Sequence, residues 1–287
     1  MKAGALFNKV VVVESLPEGE MKTGKSLFDD QLMHIGTRFP QLSAELIQVE
    51  NAQEFLECLG NLRKEVVEDS IVPVLHIECH GSPEGLTMAD GSSLSWEELR
   101  SALIKLNLAT RLNLLVVVGA CNGAYLIGTA LQVDAAPFFA VVGTENELNA
   151  GQLKEAFGSF YSELFDSQDG DRAMDAMNNK IGDEGDKFRF LGARALFASA
   201  FKRYYNDYCR GKAKKKRIEH LTSRVLQNPE VSKHGIKWAR TQVKKALSNP
   251  RDDFEFFQKR FFFVNQLPEI LERLPLNYDE VIGQEDA

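Results

Sequence analysis

The stretch LLVVVGACNG, residues 114–123, decides how the chain is read. A continuous apolar run closed by a glycine is the pattern of a strand covered on both faces. The run gives way to Cys121, with Gly119 two residues before it and Gly123 two after, where a backbone leaving a sheet needs glycine's freedom. A cysteine used only for packing would sit inside the run among aliphatic neighbours.

Working outward, runs of the same kind recur. KVVVVES (9–15), AELIQVE (44–50), VPVLHIEC (72–79), LNLLVVVG (112–119) and FFAVVG (138–143) read as strands. Between them lie amphipathic segments. NAQEFLECLGNLRKEVVED (51–69) places Phe55, Leu59, Leu62 and Val66 on one stripe. SWEELRSALIKLNL (95–108) starts with a capping box, Ser95 with Glu98, and QLKEAFGSFYSELF (152–165) is a further helix. The alternation predicts an α/β domain over residues 1–190 with a doubly wound, mostly parallel sheet. After residue 190 the strand signal ends and the pattern turns helical, with breaks at Asn228-Pro229 and Asn249-Pro250. Residues 191–287 are therefore expected to form a helical C-terminal extension.

Composition sets further bounds. The 287 residues are 44% hydrophobic and 26% charged, which suits a globular chain. No run of eighteen apolar residues predicts a membrane-spanning helix. The N-terminal MKAGALFNKVVVVES turns strand-like too soon for an export signal, and the four cysteines are scattered without a C-x-x-C pair. A reducing cytoplasm is expected, without a structural zinc site. The net charge of −7 is uneven: residues 1–200 hold 16 Lys+Arg against 29 Asp+Glu, and residues 201–287 hold 18 against 12.

Two stretches carry candidate chemistry. GEMKTGKS (19–26) fits the phosphate-binding loop pattern through Gly19, Gly24, Lys25 and Ser26. That loop needs its strand to feed straight into the first glycine, so that backbone N–H groups wrap a phosphate. Here Leu16-Pro17-Glu18 intervene, Glu18 and Glu20 add negative charge, and no later strand ends in an aspartate suited to magnesium. A surface loop after the first strand is the preferred reading, with nucleotide binding the lesser alternative.

The other candidate is a pair. VLHIECHG ends a strand on His80-Gly81, and the later run leads to Cys121. In a doubly wound sheet, functional groups collect at the carboxyl ends of neighbouring strands. A thiol beside an imidazole becomes a thiolate nucleophile, and the same ring can protonate a leaving amine. The backbone N–H groups of Gly81 and Cys121 would form the oxyanion hole. His76 reads as a satisfied core histidine, Cys79 as packing on the opposite strand face, and Cys58 and Cys209 as structural.

These segments resemble the caspase-like cysteine peptidases, and most closely their CHAT branch. GACNG is similar to the caspase cysteine motif, with His80 about 40 residues upstream. HGSPEGLTMADGSSLSWEEL looks like the branch's His-Gly, short hairpin and Leu-Ser-Trp-x-x-Leu helix start, and AVVGTENELNAGQLKEAFGSFYSEL like its next strand, loop and helix. The likeness spans roughly residues 70–180. It implies a caspase/hemoglobinase fold and endopeptidase activity on a protein substrate. His80 would be base and acid, Cys121 the nucleophile, and no metal or organic cofactor would take part. Gly119 stands where caspases have glutamine and Asn122 follows the cysteine, so their aspartate pocket is not carried over. The pocket expected instead draws on Gly119 and on Glu14, Glu145 and Glu147, and the three carboxylates would favour lysine or arginine before the scissile bond.

The tail is basic at GKAKKKR (211–217) and aromatic at FEFFQKRFFF (254–263). The phenylalanines are expected to pack a helix on the main domain. A protein activator or regulator docking on these helices fits a regulated peptidase, as in bacterial defence or programmed cell death. Nucleic-acid binding through Lys212, Lys214, Lys215, Lys216 and Arg217 is not expected, nor is a membrane partner. A catalytically silent caspase-like scaffold remains the alternative from a different class.

Overall fold

The computed structural model describes residues 7–120, 123, 125–144, 149–181 and 188–283. Its strands are β1 (Lys9–Ser15), β2 (Ser43–Gln48), β3 (Pro73–Gly81), β4 (Gly85–Thr87), β5 (Ser93–Ser95), β6 (Leu115–Val118), β7 (Ala140–Gly143) and β8 (Arg189–Gly192). The main sheet runs in the order β2-β1-β3-β6-β7-β8. Every neighbouring pair from β2 to β7 is parallel, and β8 closes the edge antiparallel to β7. The protein is thus α/β with a mostly parallel central sheet and helices, as the sequence pattern predicts.

The central strands read as unbroken apolar runs because both faces are covered. Val10, Val12, Val74, Val117 and Val142 join one core with Leu27, Leu32, Phe157, Phe160 and Tyr161. Their alternates, Val11, Val13, Leu75, Ile77, Val116 and Val141, are equally sealed and point to the other face. The helices Ala52–Asp69 and Trp96–Ala109 bury Phe55, Leu59, Leu62 and Val66, and Leu99, Leu103 and Leu106. Asn51 caps the first of these helices, and the Ser95–Glu98 capping box opens the second. The helix Ala150–Ser167 follows a capping box of Asn149 and Gln152.

The chain divides into two compact units, residues 1–130 with 136–196, and residues 131–135 with 197–287. Phe254, Phe261 and Phe262 of the aromatic stretch are buried, while Phe256 is 60% exposed. Their ring partners are Phe197 and, for Phe254, also Phe201 and Tyr278. These rings build a core of the C-terminal unit. Asn228 and Asn249 cap helices that carry Pro229 and Pro250 in their first turn.

Two further boundaries differ from the sequence pattern. β6 begins at Leu115 rather than at Leu112, because Arg111 and Leu112 take left-handed φ values of 54° and 57°. Strand β8 stands where the pattern turns helical, and the helix starts only at Ala193.

Candidate active site

Parallel register sets Glu14 of β1 beside Glu78 of β3. Alternation then puts His76, Glu78 and His80 on one face of β3. The first two lie inside the protein. His76 is fully buried, its Nδ1 2.9 Å from the Tyr161 hydroxyl and its Nε2 2.8 Å from Glu78 Oε1. A carboxylate can only accept, so Nε2 carries a hydrogen, and Nδ1 is paired with the Tyr161 hydroxyl. Burial, together with the Glu78 charge, holds the Tyr161 phenol well above its ordinary value. His76 is the satisfied core histidine that the sequence suggests.

The second oxygen of Glu78 accepts the Thr23 hydroxyl at 2.8 Å. Glu14 accepts the Lys25 backbone N–H at 3.0 Å and the Gln48 amide, also at 3.0 Å. Both residues are 1% exposed, and these donors offset the cost of burying their carboxylates. Two glycines make room for them. A Cβ on Gly24 would lie 3.0 Å from Glu78 Cγ and 3.1 Å from Glu14 Oε1. A Cβ on Gly119 would lie 2.6 Å from the Glu78 carboxyl carbon. Gly119 therefore admits an internal carboxylate.

This layer corrects two expectations. Glu14 lies within β1, as its run predicts, but its engaged, buried carboxylate presents no face to a substrate side chain. TGKSL forms the short helix Thr23–Leu27, with Thr23, Gly24 and Leu27 buried, instead of a surface loop. Its first turn meets Glu14 and Glu78 where the phosphate-loop reading would seat an anion. Negative charge already present there opposes nucleotide binding.

The rim is open. The His80 side chain is 49% exposed, and its Nε2 lies 2.8 Å from Glu20 Oε2. Glu20 was visible in the sequence only as a charge that spoils a phosphate site. Past His80, β4 pairs antiparallel with the end of β3, and β4 and β5 form the expected hairpin. Ser82 and Gly85 exchange both backbone bonds, at 2.8 and 3.3 Å. Alternation then makes Gly81–Leu86 a non-hydrogen-bonded pair, so the Gly81 N–H points away from β4. The hairpin lies on the β1 side, where Ala89 N–H donates to Ser15 Oγ at 2.9 Å. The Gly81 N–H is thus directed to the β6 side.

β6 is the neighbour on that side, pairing from Val74–Leu115 to Ile77–Val118, and Gly119 N–H continues the ladder to Ile77 O at 2.8 Å. Cys121, Glu145 and Glu147 lie outside the described residues. The remaining cysteines are buried. Burial, reinforced by Glu45 and Glu65, pushes the Cys58 thiol up to about 11. Burial also raises Cys79, aided by Glu78, and Cys209, aided by Asp253. Among the described residues, no three His, Cys, Asp or Glu side chains are grouped to hold a metal ion, and no helix is long and apolar enough to cross a membrane.

No protein-family model matches the sequence, and no curated protein matches it.

Proposed function

We propose that the chain is a caspase-like cysteine endopeptidase in which Cys121 is the nucleophile and His80 the general base and acid. The observation that carries the reading is the parallel pairing of β3 with β6. Ile77 faces Val118, an offset of 41 positions, and 41 positions also separate His80 from Cys121 in the sequence. The half-exposed ring of His80 and the direction of the Gly81 N–H support the same reading.

In the reaction, His80 takes the thiol proton as the Cys121 sulfur bonds to the carbonyl carbon of the scissile peptide. The oxyanion so formed takes hydrogen bonds from the Gly81 and Cys121 N–H groups, donors of a kind worth about 3 kcal/mol each. His80 then protonates the departing amine as the C–N bond breaks, leaving a thioester on Cys121. Water, giving a proton to His80, hydrolyses that ester and frees the thiol. The wider setting, a regulated cytoplasmic enzyme of defence or programmed cell death, belongs to this proposal through the family resemblance alone.

Digestion of a proteome-derived peptide library by the full chain, read by mass spectrometry, tests the reading. New termini that vanish with Cys121→Ala and His80→Ala are expected. Identical termini from the Cys121→Ala chain, or none from the wild type, would overturn it.

A further inference from the structure

The pairing of His80 with Glu20 joins residues 60 positions apart, and the loop that carries Glu20 is fastened at both ends. At its start, buried Ser15 donates from Oγ to Val49 O at 2.8 Å and accepts the Ala89 N–H. At its end, Thr23 and Lys25 are tied to Glu78 and Glu14. Within the loop, Lys22 Nζ bonds the carbonyl oxygens of Leu16 and Pro17, and Gly19 takes a φ of +89° that allows the turn. The ammonium group of Lys22 is thus engaged with backbone carbonyls, while the Glu20 carboxylate meets an imidazole.

A contact this exposed adds little to stability. Its consequence is chemical. A carboxylate is only an acceptor, so contact at Nε2 requires the hydrogen on that nitrogen. In a neutral ring the opposite nitrogen, Nδ1, is then the one with a free lone pair. For His80 the structure gives Nδ1 no partner among the described residues.

We propose that Glu20 is the positioning residue of His80, holding Nε2–H and reserving Nδ1 for the thiol proton of Cys121. The inference rests on the peptidase reading for its use and on the observed contact for its geometry. It also gives the phosphate-loop lookalike a purpose. The helix Thr23–Leu27 anchors the strap that presents Glu20, and the buried carboxylates beneath it are that anchor.

The test pairs kinetics with a direct view of the ring. In the full chain, Glu20→Ala is expected to lower kcat about 10- to 100-fold, with KM within about twofold. Glu20→Gln, whose amide oxygen can accept the same N–H, should recover part of that loss. Glu18→Ala, removing an exposed charge from the same loop, should leave kcat unchanged. Long-range 1H–15N spectra of the resting chain should show neutral His80 as the Nε2–H tautomer, and Glu20→Ala should mix the two forms. A wild-type ring protonated on Nδ1, or a Glu20→Ala chain that keeps its tautomer and rate or gains rate, would overturn the proposal. If the wild type cleaves nothing but Glu20→Ala still releases the tautomer, the peptidase reading fails and the positioning contact stands.

Discussion

Strand β3 carries two histidines four residues apart, each 2.8 Å from a glutamate, and they differ in everything else. His76 is sealed, with both ring nitrogens occupied by Glu78 and Tyr161. His80 is half exposed, with one nitrogen held by Glu20. The ion-pair distance does not separate a structural histidine from a chemical one. What separates them is whether both ring nitrogens have partners among the described residues and whether the ring is open at the rim. The inner pair holds the buried end of β3 and the strap above it, while the outer pair has little stability to contribute and, in the proposed reaction, a proton to move.

Substitution of each histidine in turn should break the comparison most visibly. His80→Ala should cost roughly 10³- to 10⁴-fold in kcat/KM while thermal unfolding stays near that of the wild type. His76→Ala should do the opposite. It strands the buried Glu78 carboxylate, at a cost of about 3–5 kcal/mol in chemical denaturation, while the folded fraction keeps its turnover. Normal stability with lost turnover in His76→Ala would mean that the inner pair belongs to the chemistry.

Smaller effects sharpen the same contrast. Gly119→Ala drives a methyl group into the Glu78 carboxylate and should destabilise by about 1–3 kcal/mol, as should Tyr161→Phe, which leaves His76 Nδ1 unpaired. A further effect is alkaline. The Cys58 thiol is raised from 9.0 to about 11 when folded, so the unfolded chain loses its proton first. Its contribution is fully present below pH 9 and is lost as pH rises to about 11, a fall in stability that Cys58→Ala should reduce.

Much of this arrangement was legible in the residues. Strands buried on both faces announce themselves as unbroken valine and leucine runs, and β1, β3 and β7 stand close to where those runs lie. The Ser95–Glu98 box and the Asn-Pro pairs mark helix starts through local hydrogen bonding, which sequence records directly. β8 escaped because RFLG is a four-residue edge strand with Arg189 and Phe190 exposed, so it shows no buried run. The start of β6 was misplaced because Leu112 is apolar but sits in a left-handed turn, with its N–H held by Asn107 O at 2.9 Å.

At the site, His80 and its place at a strand end could be read, since both are local. Glu20 could not, because its partner is 60 residues away and nothing near GEMKTGKS points to an imidazole. The same stretch showed glycines at phosphate-loop spacing, but Gly24 answers to the bulk of Glu78 and Val12 across the fold. Glu14 was misjudged for a related reason. A charge closing an apolar run suggests an open rim, unless Gln48 and the backbone of Lys25 are already known to meet it.

The central claim is that His80 activates Cys121, and it can be tested without knowing any substrate. Native protein at neutral pH would be treated with iodoacetamide and the alkylation rate of each cysteine followed by mass spectrometry. The account predicts that Cys121 reacts well ahead of Cys58, Cys79 and Cys209, and that His80→Ala slows Cys121 about tenfold or more. Cys121 reacting no faster than the three buried thiols, or at the same rate without His80, would contradict it.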